Sequence, residues 1–178
     1  EFYQTVERKV EAARQVVVKK LCEGKEAIKK AWEDTKEWAS NIDWDKVVQG
    51  VTVVAAGALV ITIGAAAIAA TGGLAAGAFA GLAAGVFTTS NIFVAGTAIA
   101  GGTAMAMGIS DTVEGLQIVE NGLNNENDVA FNPIRDTVFN NAILTPEMYY
   151  GVEIVSTFGA GYGATVINSN RPYFEATV

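Results

Sequence analysis

Residues 47–87 read VVQGVTVVAAGALVITIGAAAIAATGGLAAGAFAGLAAGVF, and the reading of this stretch decides the fold. The stretch carries no charge. The charge-free run continues to Ser110, with Lys46 and Asp111 as the nearest ionised side chains on either side. No polar face recurs with a helical or strand period, so neither a half-buried strand nor a surface helix fits. From Val47 to Ala70 a helix rises about 36 Å, enough to cross a hydrocarbon core of about 30 Å. The Val, Ile and Leu side chains there outweigh Gln49, Thr52 and Thr62 on an insertion scale. Thr71-Gly72-Gly73 reads as a turn. The expectation is an apolar helical hairpin, Val47–Ala70 against Leu74–Phe87, entering a membrane. The alternative is a soluble core hairpin buried by flanking helices.

Within this block Gly73, Gly77, Gly81 and Gly85 recur at every fourth residue. On a helix that spacing draws one slowly drifting stripe. A glycine inside a helix costs about 1 kcal/mol relative to alanine, so a row of them calls for a packing reason. Small residues at this spacing let helix backbones approach closely in lipid. After Thr88-Thr89-Ser90-Asn91, which suits a helix start, Gly96, Ala100, Ala104 and Gly108 repeat the pattern on a third apolar helix from Ile92. Both rows are expected to pack helices within a membrane.

The flanks differ in kind. Residues 3–40 read as an amphipathic helical arm: Tyr3, Val10, Val17, Gly24, Ala31 and Trp38 fall at seven-residue intervals. Gly24 is its expected weak point, with two helices meeting near Cys22. The arm's polar face balances acids and bases, which favours a solvated helix with one face packed on its own domain over one lying on a membrane. Trp32, Trp38 and Trp44 stand just ahead of the charge-free block, where they suit either a membrane–water boundary or a helix–helix core. Asp43 suits an N-cap.

Beyond the block, Asp111–Leu123 continues helically, and the polar Asn124–Asp128 segment marks a boundary. In FNPIRDTVF at 131–139, Asn132 suits an N-cap and Pro133 a first helical position, with Ile134, Arg135 and Asp136 following. Arg135 and Asp136 read more readily as a structural ion pair than as a catalytic one. Thr145-Pro146 opens an apolar helix, expected to loosen at GAGYGA (159–164), and NSNRPYFEATV reads as loop or linker. The chain thus divides into a lead-in (1–45), charge-free glycine-zipper helices (46–110), an acidic helix with polar loop and NPIRD motif (111–144), and a C-terminal apolar helix with linker (145–178). The fold class is all-α.

Composition narrows the function. The net charge of −7 arises from residues 111–178, where Arg135 and Arg171 are the basic residues. An acidic chain of this kind is a poor partner for nucleic acid, whose binding rests on displacing counterions with a basic surface. With no histidine and one cysteine, Cys22, the common metal sites and nucleophile–base pairs lack their usual members. GAGYGA lacks the strand and acidic ribose ligand of a dinucleotide turn. No cofactor, metal or catalysis is expected, and the chain reads as an excerpt of a longer protein.

The glycine-rich apolar segment, ISDTVEGLQ at 109–117, FNPIRDTVF and the apolar helix at 148–168 stand in an order that resembles the pre-toxin region of Gram-positive polymorphic toxins, both LXG proteins exported by type VII secretion and Rhs-type toxins. The resemblance covers residues 44–168. It implies a secreted antibacterial effector with a variable toxin domain C-terminal to this region. Its implied partners are target-cell membrane lipid, the rest of the toxin chain, and a chaperone or immunity protein. The function expected is a non-catalytic translocation module that inserts glycine-zipper helices to deliver that domain or to form a pore. The alternative is a soluble helical spacer packed against the toxin or its chaperone.

Overall fold

The computed structural model describes residues 2–140 and 143–178. Among them every regular element is helical: α1 (Phe2–Ser40), α2 (Trp44–Thr71), α3 (Leu74–Ala83), α4 (Thr89–Asn124), α5 (Pro133–Thr137), α6 (Pro146–Ser169) and α7 (Arg171–Thr177). The chain forms two compact units, Glu1–Ile42 and Asp43–Val178.

The first unit is α1 alone. It runs through Gly24 without the expected break. A single helix has nothing of its own to bury an apolar stripe against, and Ile28 and Trp32 are exposed.

The second unit is built on α2 and α4, which run antiparallel along almost their whole length. The side chain of Asp43 accepts the Lys46 N–H and caps α2, as the sequence suggested. α2 ends at Gly72, whose φ of 40° suits glycine far better than residues with a Cβ. The expected hairpin is corrected here: the returning partner of α2 is α4, while α3 packs on α4. The reason lies in glycines at intervals of seven. Gly50, Gly57 and Gly64 of α2 face Gly115, Gly108 and Gly101 of α4. A seven-residue spacing keeps such positions on one seam when helices wind slightly about each other. The contact is backbone on backbone. A Cβ added to Gly57 would lie 2.6 Å from the Gly108 carbonyl oxygen, and one on Gly108 would lie 2.6 Å from that of Gly57. At the end of the seam the Asp43 N–H donates to Gly122 O at 2.9 Å.

The four-residue row has a different fate. Gly73 precedes α3 and Gly85 follows it, both with open space around them, and Gly85 has a φ of 81°. Gly77 and Gly81 do lie in α3, but Gly77 meets Val178 and Gly81 meets the Asn91 side chain. The row therefore forms no continuous groove for a helix. On α4, Gly108 joins the seam, Ala104 is buried, Ala100 neighbours Gly159 and Gly96 stands open. A period of four drifts around a helix of 3.6 residues per turn, which spreads this row over more than one face.

α6 lies against both long helices. It continues through GAGYGA to Ser169, correcting the expected loosening, because Gly163 sits against Thr97 and Gly161 near Ile63 while Ala160, Ala164 and Ile167 are buried. The closing residues are not linker: α7 buries Phe174, stacked on Phe93 at 5.7 Å between ring centroids. An apolar core of Ala67, Ala70, Ala78, Val94, Ala164 and Phe174 joins these elements at one end of the bundle. A smaller one of Met107, Phe139 and Tyr149 lies toward the other.

Two sets of glycine substitutions separate seam from surface. Gly57→Ala or Gly108→Ala is expected to cost about 1–3 kcal/mol, because each forces a methyl into a backbone contact. Gly96→Ala and Gly151→Ala, which meet nothing within 4 Å, should stabilise by about 0.5–1 kcal/mol. Urea unfolding followed by circular dichroism reads both.

Candidate functional site

The FNPIRDTVF segment folds into a polar clasp that ties α4, α5 and α6 together. Its centre is Asn132, which is fully buried. The Asn132 Oδ1 accepts the Arg135 N–H at 2.9 Å, the N-cap bond anticipated from sequence, and also the Ser110 hydroxyl at 2.6 Å. Its amide Nδ2 donates to Asp111 Oδ1 and Glu114 Oε2, each at 2.9 Å. Pro133 takes the first turn of α5 at no hydrogen-bonding cost, and the Ile134 N–H donates to Ser110 Oγ at 2.9 Å. One amide thus meets the helix start it caps and three side chains of α4.

Arg135 and Asp136 complete the clasp. The Arg135 guanidinium donates from Nη1 to both oxygens of Glu114 at 2.9 and 2.8 Å, and from Nε to Asp136 Oδ1 at 2.9 Å. Nη1 also reaches the Tyr150 hydroxyl at 3.2 Å. Asp136 in turn accepts the Asn132 N–H at 2.8 Å. Burial opposes the Arg135 charge, yet its bonds to Asp136 and Glu114 outweigh burial and raise its pKa. Burial likewise works to raise Asp136, but the bonds from Arg135 and the Asn132 N–H hold it below its ordinary 3.8. These two residues form the structural ion pair expected from sequence.

α6 enters through Tyr149, fully buried, whose hydroxyl donates to Asp111 Oδ1 at 2.6 Å. One turn further on, burial and then the neighbouring Asp111 carboxyl push the pKa of Glu153 up to about 7. The loop ahead of the clasp is held by Gln117, which accepts the Phe131 N–H at 2.9 Å and donates to Phe131 O at 3.3 Å. Sequence reading named Asn132 to Asp136. It did not find Ser110, Asp111, Glu114, Tyr149 or Glu153, which lie far from them along the chain.

Chemically the clasp is self-satisfied. Its donors and acceptors are matched to one another, and no group of three or more metal-ligating side chains occurs among the described residues. GAGYGA is helix interior and Cys22 is exposed. Trp32 and Trp38 lie on α1 and Trp44 opens α2; all three are exposed.

The surface of the second unit is the more informative feature. α2 and α4 are both long and apolar enough to cross a membrane. Less than half of either apolar stretch is covered by the rest of the chain. Leu59 is 61%, Ile99 59% and Phe158 75% exposed, on α2, α4 and α6 respectively. A seam floored by glycine explains this. Because the backbones touch, the large side chains have no room between the helices and point outward.

The fold and site define an all-α protein with a glycine-seamed antiparallel helix pair, an apolar exterior and a polar clasp. The chain matches no protein-family model, no curated protein and no solved structure.

Replacing Asn132 with alanine removes an N-cap and strands buried Asp111 and Ser110; the expected loss is about 3 kcal/mol in urea unfolding. Asp136 supplies a pH test. Its folded pKa is depressed, so its contribution is present above about pH 4 and lost as pH falls through the folded value. Wild type should therefore lose more stability between about pH 5 and pH 2 than Asp136→Asn.

Proposed function

We propose that this chain is a non-catalytic membrane-inserting module of a secreted bacterial toxin, in which α2 and α4 enter the target membrane as a preassembled pair. Insertion would carry a further toxin domain across or open a pore. The observation that carries this reading is the outward-facing apolar surface of a helix pair whose interior is backbone. In water such a surface is unfavourable by roughly 25 cal/mol per Å². In lipid it is at no disadvantage, and small residues between helices are what association there relies on.

The distribution of charge supports the same reading. At one end of the bundle stand Asp111, Glu114, Arg135 and Asp136, bound to one another. At the other, Arg171 pairs with Glu175 and reaches the Ala70 carbonyl at 3.4 Å. Away from these groups α2 from Val47 to Thr71, α4 from Thr89 to Ser110, and α6 from Ile154 to Ser169 bear no charge. The resemblance of FNPIRDTVF to the pre-toxin region supplies the toxin context, with the chain's remaining partners as that context implies. As a spacer that never meets lipid, the chain would need another protein to cover Leu59, Ile99 and Phe158.

Flotation with vesicles of phosphatidylcholine and phosphatidylglycerol tests the reading. The chain should rise with the vesicles and release an entrapped dye, and Gly57→Ile or Gly108→Ile should abolish the release. A wild-type chain that is monodisperse without detergent and stays in the bottom fraction at every pH and lipid charge would overturn it.

A further inference from the structure

The two ends of the second unit differ in charge. Ten of its eleven acids, with Lys46 and Arg135, lie on the start of α2, the end of α4, the loop after it, α5 and the start of α6. The antiparallel run of α2 and α4 brings these to one end, where Lys46 Nζ donates to the Glu126 carbonyl at 2.7 Å and Asn132 joins α5 to Asp111. At the opposite end, α3, the start of α4 and α7 carry Arg171 and Glu175 as their charges. These two neutralise each other at 2.9 Å, and Arg171 also donates to Ala70 O near the close of α2.

The end with few charges also exposes apolar side chains. Residues 71–92 bear no charge. Phe79 of α3 and Val86 and Phe87 of the α3–α4 loop are exposed, Phe87 by 72%. Several polar groups there bond inward. Thr88 Oγ1 accepts the Asn91 N–H at 3.1 Å, Asn91 Nδ2 donates to Val86 O at 2.9 Å, and the Ser90 and Thr177 hydroxyls share a hydrogen bond at 2.7 Å. From this end to Ser110, α4 rises about 33 Å without a charge, which matches a hydrocarbon core of about 30 Å.

We infer that the bundle enters a membrane in one direction, with the α3 and α7 end crossing to the far leaflet and the clasp end staying on the side of entry. The inference rests on the membrane reading above and adds its sidedness. A charged side chain is costly at the bilayer centre. Entry by the α3 end takes one mutually neutralised pair through that region, whereas entry by the clasp end takes ten acids and two bases. Anionic lipid biases the approach in the same sense, because its negative surface potential repels the acidic end and leaves the neutral one free to meet it. Phe79 and Phe87 then make the first contact with the acyl region. Entry stops when Asp111 and the clasp reach the near headgroups, at the end of the uncharged run of α4.

The test follows three positions in the full chain. In a Cys22→Ser background, Phe87→Cys at the α3 end and Val129→Cys beside the clasp each carry biotin; Val129 is 93% exposed. Leu59→Cys on α2 carries an environment-sensitive fluorophore quenched by spin-labelled lipid. Each chain is bound from outside to phosphatidylcholine–phosphatidylglycerol vesicles that hold streptavidin, a protein too large to leave with a small dye. The floated vesicles are then probed with added streptavidin. The Phe87 biotin should be captured from within, and several-fold less from outside, while the Val129 biotin should show the reverse. Without labels, Phe87→Asp should slow dye release several-fold and Val129→Asp should leave it unchanged. Both sites are exposed, so neither aspartate enters the packed interior. A quenched Leu59 probe with both biotins captured from the same side, or equal effects of the two aspartates, overturns the sidedness and leaves the membrane reading standing. An unquenched Leu59 probe removes both.

Discussion

The structure of the second unit depends on one contact: the backbone of α2 lying directly on the backbone of α4. Gly50, Gly57 and Gly64 meet Gly115, Gly108 and Gly101 at distances that leave no room for even a methyl group. Close approach gains dispersion between main chains along most of both helices. It also gives up the interlocking of large side chains that fills an ordinary core. The core that remains is largely alanine, and large side chains such as Leu59, Ile99 and Phe158 are displaced to the outside. The unusual interior and the unusual exterior have the same cause.

The clasp answers a different problem. Buried polar groups cost free energy unless each finds a partner. Here the cost is met by reciprocity: Asn132 caps α5 and bonds to α4, Arg135 is flanked by Glu114 and Asp136, and Tyr149 brings α6 onto Asp111. Such a network fixes how three elements meet at one end of a bundle whose apolar contacts are small and weakly directional. Glu153 stands one turn beyond Tyr149 and lines a groove with Val60, Ile63 and Phe158.

Much of the candidate site was legible as local grammar. Asn132-Pro133 announced a helix start, and the pairing of Arg135 with Asp136 followed from adjacency. The α4 and α6 members were not legible, because Asp111, Glu114 and Tyr149 are ordinary polar residues of apolar helices until the fold brings them to one amide. The glycine seam lay open in the sequence yet competed with a more conspicuous signal. The row Gly73, Gly77, Gly81, Gly85 is dense and local, but its outer two members lie outside α3. The row that matters is sparse, at sevens, and split between helices almost forty residues apart.

By itself the sequence determined the helical class, the uncharged length of α2 and α4, the caps at Asp43 and Asn132, and the absence of histidine-based chemistry. These are local properties, set by spacing, propensity and the donors a helix end leaves free. Only the tertiary structure decided that α2 pairs with α4 instead of α3, that α7 packs where a linker was expected, and which carboxyls face each other. Those outcomes turn on which backbones fit against which, and close approach is a property of two surfaces together that neither stretch of chain carries alone.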